Sequence, residues 1–119
     1  MHGPAATVLV VDDDASLRLL CRVNLELEGF TVREASTIAE ADAAVAKERP
    51  DVVLLDVHLQ ADDTGELLQR LRAAGIPVAL VTGSADLDDY LGAADALLGK
   101  PFEPQALVET ARRLARVDG

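Results

Sequence analysis

Residues 7–14 read Thr-Val-Leu-Val-Val-Asp-Asp-Asp. An unbroken apolar row runs straight into three carboxylates, and that junction decides the fold. A strand buried on both faces shows as a continuous apolar run rather than an alternating one, and such strands belong to parallel sheets covered by helices. The pattern recurs: Val52-Val53-Leu54-Leu55 runs into Asp56, and Ala96-Leu97-Leu98 precedes Gly99, Lys100 and Pro101. In an open parallel sheet the ligand crevice lies outside the carboxyl ends of the strands. Asp12, Asp13, Asp56 and Lys100 each sit just past such a run and can meet at one opening. Clustered carboxylates with a nearby ammonium suit a hard cation and a phosphoryl group.

Outward from that junction, residues 15–28 read as a helix whose inward face is Leu17, Leu20, Cys21 and Leu25, stopped by Gly29. Residues 31–34 form a short second strand. Residues 37–47 form an alanine-rich helix, with Thr37 and Glu40 spaced as a capping box and Pro50 as its stop. The third strand is 52–56, followed by a polar loop at 58–64 and a third helix at 66–74. Gly75-Ile76-Pro77 turns into a fourth strand at 78–81. A short, weak helix at 86–93 precedes the fifth strand, 96–98. Pro104 suits a first helical position and opens the last helix, to about residue 117.

Five strands alternating with five helices predict an α/β fold. The expectation is a five-stranded parallel sheet with helices on both faces; periodicity does not give the strand order, and the flavodoxin-like order 2-1-3-4-5 fits five βα units best. The switch between the first and third strands then brings Asp12 and Asp56 together. Residues 1–119 read as a single domain with a core over about 6–117.

Composition sets outer bounds. The chain carries 21 acids against 11 bases, a formal charge of −10, which disfavours direct nucleic-acid binding, since that rests on neutralising phosphates. One cysteine, Cys21, allows no intramolecular disulfide and reads as an inert core thiol. No apolar run approaches the roughly 18 residues of a membrane span, and Met-His-Gly-Pro-Ala-Ala at the start lacks the form of a signal peptide. The expectation is a cytoplasmic protein without a membrane partner, a monomer or weak homodimer. Aromatics are scarce, so Leu, Val and Ala must build the core.

Four motifs, Val10-Val11-Asp12-Asp13-Asp14, Leu54-Leu55-Asp56-Val57, Val81-Thr82-Gly83 and Lys100-Pro101-Phe102, resemble in that order the receiver domain of two-component response regulators, over about residues 6–117. None is specific alone; the four together are. The resemblance implies that Asp56 accepts a phosphoryl group from a phosphohistidine of a sensor histidine kinase or histidine phosphotransfer protein, and that the adduct switches partner binding. It implies a phosphoacceptor rather than an enzyme. It further implies a Mg2+ site in which Asp13 binds directly, Asp12 through water, and Asp56 and the backbone carbonyl of His58 complete the protein ligands. Thr82 is expected on the phosphoryl oxygens, Lys100 paired with them, and Lys100–Pro101 as a cis peptide.

Elementary chemistry supports these roles. Phosphoryl transfer needs charge neutralisation and alignment more than covalent help. Mg2+ favours carboxylates, waters and phosphate oxygens, and lysine is a compact point charge suited to a phosphate. Asp14, by contrast, reads as an acid favouring the N-terminus of the first helix, and Arg112, Arg113 and Arg116 as cations suiting the C-terminus of the last.

The chain departs from the family pattern at Leu97, where most receivers carry Tyr or Phe that swings inward on activation. Gln60 stands for the usual proline after the acceptor, Thr64-Gly65 for Asp-Gly in a loop one residue longer, and Gly83 for the usual alanine. The first helix also has a second apolar row, Leu19, Val23 and Leu27, turned away from its inward face, which reads as a docking patch for a partner helix. Two other functions compete. One is a receiver-shaped binding module that acts without phosphorylation. The other is a Mg2+-dependent phosphohydrolase; that class wants an Asp-x-Asp pair after the first strand, whereas here the acids are adjacent.

Overall fold

The computed structural model describes residues 6–57, 64–83, 92 and 94–115. The five strands of the described residues lie in one parallel sheet of order β2-β1-β3-β4-β5, with β1 at Thr7–Val11, β2 at Thr31–Ala35, β3 at Val52–Asp56, β4 at Val78–Gly83 and β5 at Ala96–Lys100. The flavodoxin-like order, expected as the best fit to five βα units, is the one observed. The central strands β1 and β3 are buried along their whole length, as their unbroken apolar runs demand. The edge strand β2 is only partly covered, with Val32 and Ala35 buried and Thr31 and Glu34 exposed.

Successive side chains of a strand point to opposite faces, so the sheet divides the core in two. Val8, Val10, Val52 and Leu54 face Cys21 and Leu25 of α1 (Ala15–Leu27) and Leu107 and Ala111 of α4 (Pro104–Ala115). Leu9, Val11, Val53 and Leu55 face Ala41 of α2 (Ile38–Lys47) and Leu67 and Leu71 of α3 (Thr64–Ala73). Helices therefore cover both faces. Among the described residues no helix is long and apolar enough to cross a membrane.

Local chemistry sets the helix ends. Asp14 caps α1, its Oδ1 accepting from the amides of Ser16 at 2.9 Å and Leu17 at 3.3 Å. Gly29, at φ +94°, supplies the left-handed turn that closes it. Thr37 caps α2 through the Glu40 amide at 3.0 Å. The reciprocal half of the capping box lands one residue earlier than expected: the Glu40 carboxylate accepts from the amide and hydroxyl of Ser36, not from Thr37.

Several boundaries differ from expectation. α3 begins at Thr64 rather than 66, so Thr64 and Gly65 are helical and not loop. β4 and β5 extend to Gly83 and Lys100 because Thr82 pairs with Gly99 and Gly83 with Lys100; ladder pairing recruits residues that apolar patterning leaves out. Leu20 is 41% exposed rather than core. At about 100° per residue it lies about 60° from both inward Leu17 and outward Val23, and the packing of α1 leaves it with the outer row. The helix expected at 86–93 lies outside the described residues except for Gly92, as do the loop at 58–63 and the end of the last helix beyond Ala115.

Candidate functional site

Asp12 follows β1 and Asp56 ends β3, and because those strands are neighbours the two carboxylates share the carboxyl edge of the sheet. Both are almost fully buried, at 2% and 3% exposure. Lys100, the last residue of β5, reaches in from beyond β4, with Nζ 3.6 Å from Asp12 Oδ2 and 3.6 Å from Asp56 Oδ1. Asp13 stands at the exposed rim. Carboxylate oxygens of Asp12, Asp13 and Asp56 lie within 4.8 Å of one another.

The loop that presents the first two acids is tightly held. Asp12 N–H donates to the Ala35 carbonyl at 3.0 Å, Asp12 Oδ1 accepts from the Asp14 amide at 2.9 Å, and the Asp12 carbonyl accepts from Arg18 Nη1. Burial is the main reason the Asp12 carboxyl is pushed up to about 6. The Asp14 amide opposes that rise, the Asp56 charge adds to it, Lys100 lowers it and Asp13 raises it. An all-oxygen donor set of three carboxylates around one ammonium matches a small hard cation.

Thr82 is fully buried near the end of β4, one residue before the partner of Lys100, and among the described residues its hydroxyl makes only a long 3.4 Å bond to the Gly83 carbonyl. The Lys100–Pro101 peptide is cis, as the resemblance implies. His58 and Gln60 lie outside the described residues. Leu97 is half-buried and packs with Ala94 against the core on the α2 and α3 side of the sheet. Cys21 is buried, and that burial pushes its thiol up to about 12, which fits an inert core group. Asp14 is the helix cap, and Arg112 holds Glu28 at 2.9 Å. Leu19, Leu20, Val23 and Leu27 are 59%, 41%, 48% and 77% exposed and form one face of α1.

Arg18 and Glu34 are the members of this neighbourhood that sequence patterning overlooks. Arg18 Nε donates to Glu34 Oε1 at 3.0 Å while Nη1 serves the Asp12 carbonyl. A signal existed: Arg18 lies seven residues before Leu25, on the inward stripe of the helix, where an arginine needs partners.

Fold and site define a class: doubly wound α/β proteins with an acidic crevice at the strand switch point. The response regulator receiver domain family model matches residues 8–112, and the chain belongs to that family, the receivers of two-component signalling. It is 40% identical over 117 residues to the DNA-binding response regulator MtrA of Mycobacterium tuberculosis, covering 93% of this chain and 51% of that protein. It is 32% identical to the phosphate regulon transcriptional regulatory protein PhoB of Pseudomonas aeruginosa, covering 95% and 53%. The chain thus spans about half the length of the curated relatives it matches. Among solved structures, the receiver domain of NtrX from Brucella abortus superposes with a TM-score of 0.86 at 29% identity, over 93% of this chain and 99% of that one. The chemotaxis response regulator CheY4 of Vibrio cholerae gives 0.82 at 30%, over 92% and 98%.

Proposed function

We propose that this chain is a phosphoacceptor switch, in which Asp56 takes a phosphoryl group from a phosphohistidine of a sensor histidine kinase or phosphotransfer protein. The observation that carries this reading is the placement of the buried Asp56 carboxylate beside Lys100 Nζ, with oxygens of Asp12 and Asp13 within 4.8 Å. In the transfer, an Asp56 oxygen forms a bond to phosphorus as the P–N bond breaks and the imidazole leaves with the electron pair. Asp13, Asp12, Asp56 and the His58 carbonyl would hold Mg2+, which when bound supplies charge neutralisation between an anionic acceptor and an anionic donor. Lys100 pairs with the transferred oxygens, and the Thr82 hydroxyl, weakly committed to Gly83, turns to them as a donor.

The exposed apolar face of α1 receives the helical partner that carries the phosphohistidine. Leu97 leaves no ring to swing inward, so switching runs through the segment that follows Thr82. The test is incubation with acetyl phosphate and Mg2+ followed by intact mass. One phosphoryl group is gained by the native chain and none by Asp56→Asn; full labelling of that variant overturns the assignment.

A further inference from the structure

We infer that Arg18 is a positioning residue for the cation site: its guanidinium fixes the peptide joining Asp12 to Asp13 and so sets where both carboxylates stand. This rests on the cation-dependent phosphoacceptor reading above. The side chain is largely buried, at 17% exposure, and it divides its donors between two anchors. Nη1 binds the Asp12 carbonyl, and Nε binds Glu34 on β2, the strand beside β1. The Asp12 carbonyl belongs to the peptide that carries the Asp13 amide, so the bond sets the plane of the very link between the two acids.

The other holds on this loop cannot replace it. The bond from Asp12 N–H to Ala35 fixes the residue's strand side, and the bond from Asp14 to Asp12 Oδ1 fixes one side chain. Among the described residues, no hydrogen bond or ion pair is found for Asp13 itself. Arg22 provides an internal control. It holds the other oxygen of Glu34 at 2.9 Å and Glu26 at 3.2 Å, carries the same charge on the same helix, and has no bond to Asp12.

The inference makes a prediction opposite in sign to simple electrostatics. Deleting a positive charge beside an acidic cluster should, by Coulomb's law alone, tighten cation binding. If Arg18 positions the ligands, deleting it loosens them; supporting groups around metal ligands are typically worth about tenfold or more in affinity. The experiment is calorimetric titration with Mg2+ of the native chain, Arg18→Ala and Arg22→Ala. Each folded protein is also labelled with acetyl phosphate across a Mg2+ series.

Arg18→Ala should weaken Mg2+ by about tenfold. Its half-saturating Mg2+ for labelling should rise to match, while the labelling rate at saturating Mg2+ stays near native. Arg22→Ala should bind as native or slightly tighter. Equal or tighter binding by Arg18→Ala overturns the inference and leaves the phosphoacceptor reading standing. A native chain that ignores Mg2+ overturns both. Should Arg18→Ala not fold, Arg18→Lys carries the test: it keeps charge and stem but cannot serve two anchors in a fork, and native affinity in that variant is equally fatal.

Discussion

The two ends of the sheet use aspartate in opposite ways. At the amino end, Asp51 Oδ2 accepts from the first amide of β1, Thr7, at 2.7 Å, and Asp95 Oδ2 accepts from the first amide of β4, Val78, at 2.9 Å. At the carboxyl end, Asp12, Asp13 and Asp56 crowd together with Lys100 as the ammonium between two of them. A parallel strand offers N–H groups at its start and carbonyls at its finish. A carboxylate at the start therefore completes the ladder, while one at the finish meets acceptors and other acids. The first pair should stabilise the fold. The second group should cost stability and be kept for what it binds.

The contrast is broken most severely at Asp56. Asp56→Asn removes the carboxylate proposed to accept the phosphoryl group, so phosphoryl labelling should fall to nothing while far-ultraviolet circular dichroism stays native. Loss of the folded signal would make Asp56 a structural acid like Asp51, and the distinction between the two ends would collapse.

Asp12 gives the next effect, through pH. Its folded carboxyl is raised to about 6 from an ordinary 3.8, so the folded state binds the proton more tightly than the unfolded chain does. Stability from that proton is fully present below pH 4 and is lost as pH climbs through 6. The loss in the metal-free protein is on the order of 2 kcal/mol. Denaturant melts from pH 4 to 7 without metal should show it, and Asp12→Asn should flatten the profile. Added Mg2+ should restore stability at pH 7, with a gain that shrinks toward pH 4 as its ligands protonate. A metal-free profile that rises steadily from pH 4 to 7 in the native chain and in Asp12→Asn alike would contradict this account.

At the amino end the sign reverses. Asp95→Ala leaves the Val78 amide without its acceptor and should lower stability by about 1 kcal/mol, with labelling by acetyl phosphate unchanged. A variant that melts as native would show that the bond contributes nothing at this edge.

These two ends were not equally legible in the sequence. The carboxyl end could be read because each acid abuts a run of apolar residues, a costly arrangement unless used, and because the continuous runs of β1 and β3 dictate a parallel sheet. The amino end could not. Asp51 and Thr7 are 44 residues apart, and Asp95 and Val78 are 17; periodicity carries no information on such pairs. The same blindness hid the bond from Arg18 to Asp12, although a charged residue on an inward stripe was visible. Boundaries failed where ladder pairing carries a strand past its apolar residues, at Thr82–Gly99 and Gly83–Lys100. Leu20 was misplaced because a row defined by spacing of three and four has two possible edges, and packing against β2 and α4 chose the other one.

The smallest effect on stability is expected at the outer face of α1, which belongs to neither end. Leu19 and Val23 are exposed at about half their surface, so Leu19→Glu with Val23→Glu should shift the unfolding free energy by less than about 0.5 kcal/mol. Labelling by acetyl phosphate, a donor too small to touch α1, should be native. Transfer from the cognate phosphohistidine protein should fall, because two charges now sit where an apolar helix would be desolvated. The sharper comparison adds Leu27→Glu, at the most exposed position of the face: a further fall in transfer with no further change in melting extends the docking surface along the whole helix. Equal loss of both labelling reactions would mean instead that α1 has shifted against the Asp12 loop.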